Sequence, residues 1–335
     1  MSALVAELAD INLGDARLNR RARRVLQRLG EKPTLSIPSA CGGWKETRAA
    51  YRLFDHAAVS AETVLAPHHA GTIARIRAHP RVLCLQDTSE LDYTGKSDIQ
   101  GLGPLNYETR HGLYLHPTLA VTPDRLALGL LHVHSWVREP GSLAKSKDAA
   151  RPIEDKESVR WIDGFARVNE LAEQLPDTQL TYVADREADL YELFVEAPCP
   201  DTGADWLVRA QHDRVLGKDA DGHAETLRQR LAKAPVLTET RFKQPGGNGR
   251  SARTVHQQIK AVRLRLPAPK RPDRTLAEVE ITAILATEPE PPPGEEPVDW
   301  LLLTNLPVTT PEQALEKLQW YLCRWQIEIF FRILK

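Results

Sequence analysis

No window of the chain approaches the roughly 18 consecutive apolar residues that a membrane span requires. The opening MSALVAELADINLGD has neither the basic region nor the apolar core of a secretory signal. Both absences lead to the expectation of a cytoplasmic protein with no membrane partner. Cysteine is scarce: Cys41, Cys84, Cys199 and Cys323 are scattered with no C-x-x-C pair, which excludes a zinc ribbon or a dithiol motif and reads as reduced, structural thiols. No internal repeat is visible. Net charge is also small, -1 over 335 residues, of which 42% are hydrophobic and 27% charged. That length accommodates one large domain with attachments or two to three smaller ones, with a sizeable core.

A balanced charge spread evenly would argue against a nucleic-acid partner, but here it is segregated. Residues 1–54 hold ten Lys and Arg against five acids, and residues 241–274 hold ten against the single acid Asp273. Residues 275–299 answer with seven acids and no Lys or Arg. The net value hides two basic regions able to face phosphates.

The first of them predicts a helix from Ala16 to about Leu29, with Asp15 as N-cap and Gly30 as its stop. At about 100° per residue, Arg17, Arg20, Arg21, Arg24 and Arg28 share one stripe, and Leu18, Ala22, Val25, Leu26 and Leu29 lie opposite. Such a stripe is often a solvated face, but six arginines and no acid between Arg17 and Arg28 favour phosphate contact. A second helix, Trp44–Phe54, mixes bases with aromatics before a boundary near 58–60, so residues 1–60 read as a small helical domain.

From Arg81 the pattern changes to short apolar runs. Val82–Leu85, Leu113–Val121 and Leu126–Val133 read as strands, Glu157–Leu175 as a helix, Leu180–Ala184 as a strand, Arg186–Phe194 as a helix and Trp206–Ala210 as a strand. This is a mixed α/β sheet. Thr254–Leu266 and Ala277–Ala286 alternate in the β manner, broken by GGNG at 246–249 and PAPKRPD at 267–273, and so form a β-rich insertion. TEPEPPPGEEP at 287–297 reads as a solvated Pro/Glu connector. A strand at Asp299–Leu306 and a helix from about Thr310 to the last residue follow. The resulting segments are 1–60, 61–210, 211–298 (insertion and connector) and 299–335.

Asp87 and Asp185 each directly follow an apolar run, at the C-terminal ends of predicted strands, where α/β sheets bind ligands. Asp87 is equally explained as a turn carboxylate and Asp185 as an N-cap. In the last helix, Tyr321, Arg324, Glu328, Arg332 and Lys335 share a stripe of about 80° in otherwise apolar surroundings. This predicts a helix buried on most sides, and the stripe is either its solvent face or a functional one.

The strings QDTSELDY (86–93) and ADREAD (184–189), and Y-x2-R-x3-E-x6-K at Tyr321, Arg324, Glu328 and Lys335, resemble the insertion-sequence-four branch of the DDE transposases. The resemblance is close over 82–93, 181–194 and 299–335 and looser elsewhere. It implies a ribonuclease-H-like core with a β-rich insertion and a helical N-terminal DNA-binding domain. Asp87, Asp185 and Glu328 would then be the catalytic acids, holding two Mg²⁺ ions, with Mn²⁺ as substitute. Tyr321, Arg324 and Lys335 would contact phosphate, with Arg209 as a further basic position. Trp300, 21 residues before Tyr321, matches the tryptophan on which the branch stacks a flipped base, and core packing explains it equally well.

The implied activity is cut-and-paste transposition: binding inverted element ends, metal-dependent phosphodiester hydrolysis through hairpin ends, and strand transfer into target DNA. The insertion at 241–274 would track the DNA backbone. The branch continues into a helical C-terminal region that pairs two protomers, so a chain stopping at Lys335 is expected to be truncated and to dimerise only if that region is supplied. The rival readings are an inactive, DNA-binding competitor and a stand-alone ribonuclease-H-like nuclease.

Overall fold

The computed structural model describes residues 6–96, 98–141, 151–196, 203–218, 222–244, 246 and 251–335. The chain divides into two compact units, residues 1–78 with 128–132, and residues 79–127 with 133–335.

The first unit is helical: α1 (Ala16–Glu31), α2 (Ile37–Cys41), α3 (Trp44–Phe54) and α4 (Ala61–Ile76). Asp15 caps α1 by accepting from the N–H groups of Arg17 and Leu18 at 2.8 and 2.9 Å. The helix does not stop at Gly30 but runs through it to Glu31. Pro33 ends it instead: the residue before a proline is kept out of helical backbone, and Lys32 has φ -138° and ψ 60°. Leu18, Ala22 and Val25 of α1 pack with Cys41, Ala50 and Leu53 in one apolar cluster. The sequence-based boundary near residue 60 would leave α4 outside this unit. The compact unit keeps it, because Glu7 accepts from Arg75 (both contacts 2.9 Å) and meets His68 Nδ1 at 2.6 Å.

The second unit is built on a mixed sheet of order β10-β11-β12-β13-β7-β6-β1-β4-β2, with β3 and β5 pairing β4 off this path. Its centre is β1 (Arg81–Gln86), β6 (Gln179–Ala184) and β7 (Asp205–Arg209), all mutually parallel. Their near-continuous burial explains why they read as plain apolar runs. Beside β1 runs β4 (His111–Val121), antiparallel to it, and β4 in turn pairs with the short β2 (Ser89–Asp92) and β3 (Gly103–Pro104). β5 (Ala127–Trp136) follows, with Ala127 and its residues from Val133 in this unit.

On the other side β13 (Asp299–Thr304) pairs β7, and β12 (Val279–Thr287), β11 (Arg253–Leu266) and β10 (Thr238–Gln244) follow, all antiparallel. The inserted strands therefore continue the central sheet. Residues Gly247–Gly249 of the GGNG segment, like Cys199, lie outside the described residues. The Pro/Glu connector is largely exposed, as expected, but is a closed loop and not an extended tether: Glu288 donates its N–H to Val298 O (3.2 Å), accepts from Val298 N (3.0 Å) and is ion-paired to Arg253. A buried carboxylate needs such partners, and composition alone does not show them.

Helix α5 (Val159–Glu173) packs on β1 and β6 through Trp161, Phe165 and Val168. Its Gly164 lies against Gln86, so that an added Cβ would fall on the Gln86 side-chain amide. Gln86 cannot give way, being buried and bonded to Thr118 Oγ1 (3.1 Å) and the Tyr182 hydroxyl (2.6 Å).

The helix expected over 186–194 is broken into a 3-10 turn, Arg186–Ala188, and α6 (Tyr191–Val195). Buried Asp189 draws the chain out of helix by accepting from the N–H groups of Gln211 and His212 and pairing with Arg214 at 2.6 Å. Beyond β7 come β8 (Val215–Lys218), β9 (Ala224–Thr226) and α7 (Leu227–Lys233). The chain closes with α8 (Pro311–Cys323) and α9 (Trp325–Leu334), which tighten to i→i+3 bonds about Arg324.

Among the described residues no helix is long and apolar enough to cross a membrane. Cys41, Cys84 and Cys323 are buried free thiols, and burial pushes the Cys84 thiol up to about 12, which makes it inert at neutral pH. Replacing Gly164 by Ala is expected to cost about 1–3 kcal/mol, read as a lower urea midpoint; an unchanged midpoint would mean that the Gln86 contact does not constrain α5.

Candidate functional site

Parallel pairing of β1 with β6 runs to Leu85↔Val183, and Asp87 and Asp185 each stand two residues past that pair. Neighbouring strands lie about 4.8 Å apart, so the sheet sets the two aspartates side by side at its C-terminal edge. Asp185 also caps the following 3-10 turn, accepting from Glu187 N at 2.9 Å. The N-cap alternative is thus part of the answer for Asp185. Asp87 Oδ1 accepts from Thr88 N at 2.8 Å, and Oδ2 accepts from Arg324 Nη1 at 2.6 Å. Arg324 also reaches Glu328 Oε1 at 3.5 Å, so one guanidinium joins the first aspartate to the glutamate.

The electrostatics follow from burial. Desolvation pushes the Asp87 carboxyl up to about 7; Arg324 and the Thr88 N–H oppose the rise, and the nearby charges of Asp185 and Glu328 reinforce it. Burial works against the Arg324 charge, yet the three carboxylates and Tyr321 leave its pKa raised. Asp87 thus feels both other acids across a buried arginine.

The polar stripe of the last helix is only partly at the surface, contrary to either simple expectation. Tyr321 and Arg324 are buried, Glu328 is about half exposed, and Arg332 and Lys335 are exposed. The helix is not buried on most sides: Trp325, Ile329 and Ile333, spaced i, i+4, i+8, are 56%, 43% and 78% exposed. The Arg324–Asp87 pair rotates the polar stripe's start inward and so turns these apolar residues out.

The chemistry of the donor set can be tested against a divalent cation. Carboxylate oxygens are the ligands such an ion takes, and crowded like charges at Asp87 are what a cation relieves. The donors fit in kind. Among the described residues, however, no three His, Cys, Asp or Glu side chains form a metal-holding group; Arg324 stands between Asp87 and Glu328.

Trp300 is half-buried, stacked on Phe242 (centroids 5.6 Å, 15° between planes) and tilted against Tyr321 at 6.3 Å. Arg209 Nη2 donates to Asp299 O at 3.2 Å beside it. Phe242 was not singled out from the sequence. Nor was Arg160, whose Nε donates to Thr88 Oγ1 (3.3 Å) and whose Nη2 donates to Glu187 (2.7 Å), linking the segments that carry Asp87 and Asp185. A signal for it existed: an arginine in the first turn of a helix opposes the macrodipole and calls for an acidic partner.

In the first unit Arg17, Arg20, Arg21 and Arg24 are exposed. Arg24 and Arg28 point toward Glu46 (3.8 and 3.1 Å), and Arg28 donates to Cys41 O at 2.7 Å, so this end of the stripe partly serves the fold. Exposed Trp44, Arg48, Tyr51 and Arg52 share one acid-free face of α3. The sequence showed this mix of bases with aromatics, and helical spacing gathers these four on one face.

Residues 1–59 match the transposase DNA-binding family, which covers this arginine- and aromatic-faced helical region. Among solved structures the chain is similar to a piggyBac transposase, determined by cryo-electron microscopy as a synaptic complex with hairpin DNA. That likeness has 9% identity and a TM-score of 0.38, covering 98% of this chain and 57% of the other. The chain thus spans 57% of that protein's length.

Because folding raises the Asp87 pKa, the stability associated with its protonated form is full below the ordinary value of 3.8 and is lost as pH rises through about 7. Asp87→Asn is therefore expected to raise Tm at alkaline pH by a few degrees, with the gain shrinking toward acid pH. A Tm difference independent of pH would contradict this electrostatic account.

Proposed function

We propose that the chain is the DNA-binding and cleaving part of a transposase of the insertion-sequence-four type, with Asp87, Asp185 and Glu328 as its acidic site. The observation that carries the reading is the placement of Asp87 and Asp185 at the ends of adjacent parallel strands, with Glu328 joined to Asp87 through Arg324. The match of residues 1–59 supports DNA as the partner. A ribonuclease-H-like core is supported by the strand order β4-β1-β6-β7, in which antiparallel β4 leads into parallel β1, β6 and β7.

Mg²⁺ or Mn²⁺ held by these carboxylates would supply activation of a water or 3′-hydroxyl and neutralisation of the leaving oxygen. The chain's own residues do the rest. Asp87 is the proton-sensitive member, since burial keeps its carboxyl protonated up to about pH 7. Arg324, released from Asp87, can turn its fork to a phosphate beside Tyr321. Arg160 holds the Asp87 and Asp185 segments in register through Thr88 and Glu187. Trp300, backed by Phe242, offers a ring for an unstacked base, and Lys335 a further positive charge. Arg17, Arg20 and Arg21, with the exposed face of α3, would hold element ends. Hairpin formation, strand transfer and a paired homodimer belong to the same reading.

The direct test is cleavage of a labelled duplex carrying the inverted repeats that flank the gene, with Mg²⁺ or Mn²⁺. Glu328→Ala and Asp185→Ala should lower cleavage at least a hundredfold and leave duplex binding within about twofold. Cleavage by Glu328→Ala at the normal rate would remove it from the site. End binding without cleavage by the unaltered chain would leave the competitor reading, and cleavage indifferent to the terminal repeats would leave the stand-alone nuclease.

A further inference from the structure

A cleft of about 570 Å³, whose described lining lies in the second unit, opens where the segment following Asp185 meets the loop between β11 and β12. Its floor is polar and buried. Asp189 is held by Arg214 at 2.6 Å, and Glu192 accepts from Arg271 Nε at 2.7 Å. Its wall is Pro267–Arg274, reading PAPKRPDR, with three prolines in eight residues. That loop is pinned. The Tyr191 hydroxyl lies 2.9 Å from Leu266 O and 2.8 Å from Ala277 O, gripping both ends, and Arg274 pairs with Glu154 at 2.5 Å and Asp273 at 2.8 Å.

A basic loop could be a flexible tether, but proline and these anchors make this one a fixed surface, which lowers the entropy cost of binding. The carboxylates do not cancel it as an anion site. Glu192 orients Arg271 through its Nε, and the two terminal nitrogens of Arg271, near the Asp273 carboxylate, make no hydrogen bond among the described residues. A guanidinium fixed by a buried acid and still holding free N–H donors is preorganised for phosphate. Lys270, Lys156 and Arg151 add positive charge at the rim, and Ile153, Leu190 and the prolines add apolar surface suited to a sugar or base. The volume suits one small ligand of nucleotide size and is far too small for a duplex.

From these features we propose that the cleft binds one nucleotide unit of a single DNA strand, its phosphate on Arg271 and Lys270. Only the turn Arg186–Ala188 separates Asp185 from the floor residue Asp189. A strand passing the acidic site is thereby offered a second point of hold along the same chain segment. This role rests on the transposase reading, but single-strand binding by the cleft can be measured without it.

The experiment uses the full chain in EDTA, with a fluorescein-labelled oligothymidylate and, separately, a labelled duplex, followed by anisotropy across a salt series. Lys270→Gln, which disturbs no buried partner, is expected to weaken oligothymidylate binding about three- to tenfold. It should lower the salt slope by about 0.7 for one lost phosphate contact, with duplex binding unchanged. Arg271→Gln with Glu192→Gln, which removes the charge pair together, should do the same without loss of Tm. A 4-thiothymidine probe should cross-link within 267–274. Unchanged affinity and slope in both variants, or cross-links only elsewhere, would overturn the proposal. Because no metal is present, failure here with cleavage intact removes the cleft alone, and single-strand loss in variants of a chain that never cleaves leaves the cleft and removes the transposase role.

Discussion

Parallel pairing of β1 with β6, ending at Leu85↔Val183, decides where Asp87 and Asp185 stand. A shift of one residue in either strand would send one of the two to the opposite face of the sheet. The register is protected by burial on both faces and by a polar tie: Tyr182, inside β6, bonds Gln86, inside β1. Gln86 in turn fixes how near α5 can lie, through Gly164, and α5 delivers Arg160 to the two segments that follow the strands.

Two arginines then tie together the segments that carry the acids. Arg324 reaches Asp87 and Glu328, and Arg160 reaches Thr88 and Glu187. Asp87 still sits far above its ordinary pKa, because burial outweighs its cationic neighbour. Folding alone would be served better by an uncharged residue at that position. Retaining a carboxyl there has a physical motive if the group meets a cation during function.

Much of this was legible in the sequence, and the failures share a cause. The strands around Asp87 and Asp185 were found because fully buried strands read as short apolar runs, and α1 because its Asp15 cap and its spacing are local. What was misread depends on partners distant in the chain. Asp189 breaks a helix through residues more than twenty positions away. Arg253 turns a Pro/Glu stretch into a closed loop. The last helix has one face drawn inward by Asp87, 237 positions away, which no wheel of that helix could show. Continuation of the inserted strands into the central sheet likewise depends on the β12–β13 pairing.

The central claim is that Asp87 and Asp185 form one cation-binding edge. It is tested most directly by titrating the chain with Mn²⁺ and following the free ion by electron paramagnetic resonance. Binding that is lost in both Asp87→Asn and Asp185→Asn, with no loss of Tm or duplex affinity, is the predicted result. Mn²⁺ binding unchanged in the two variants would place the ion elsewhere and contradict the account.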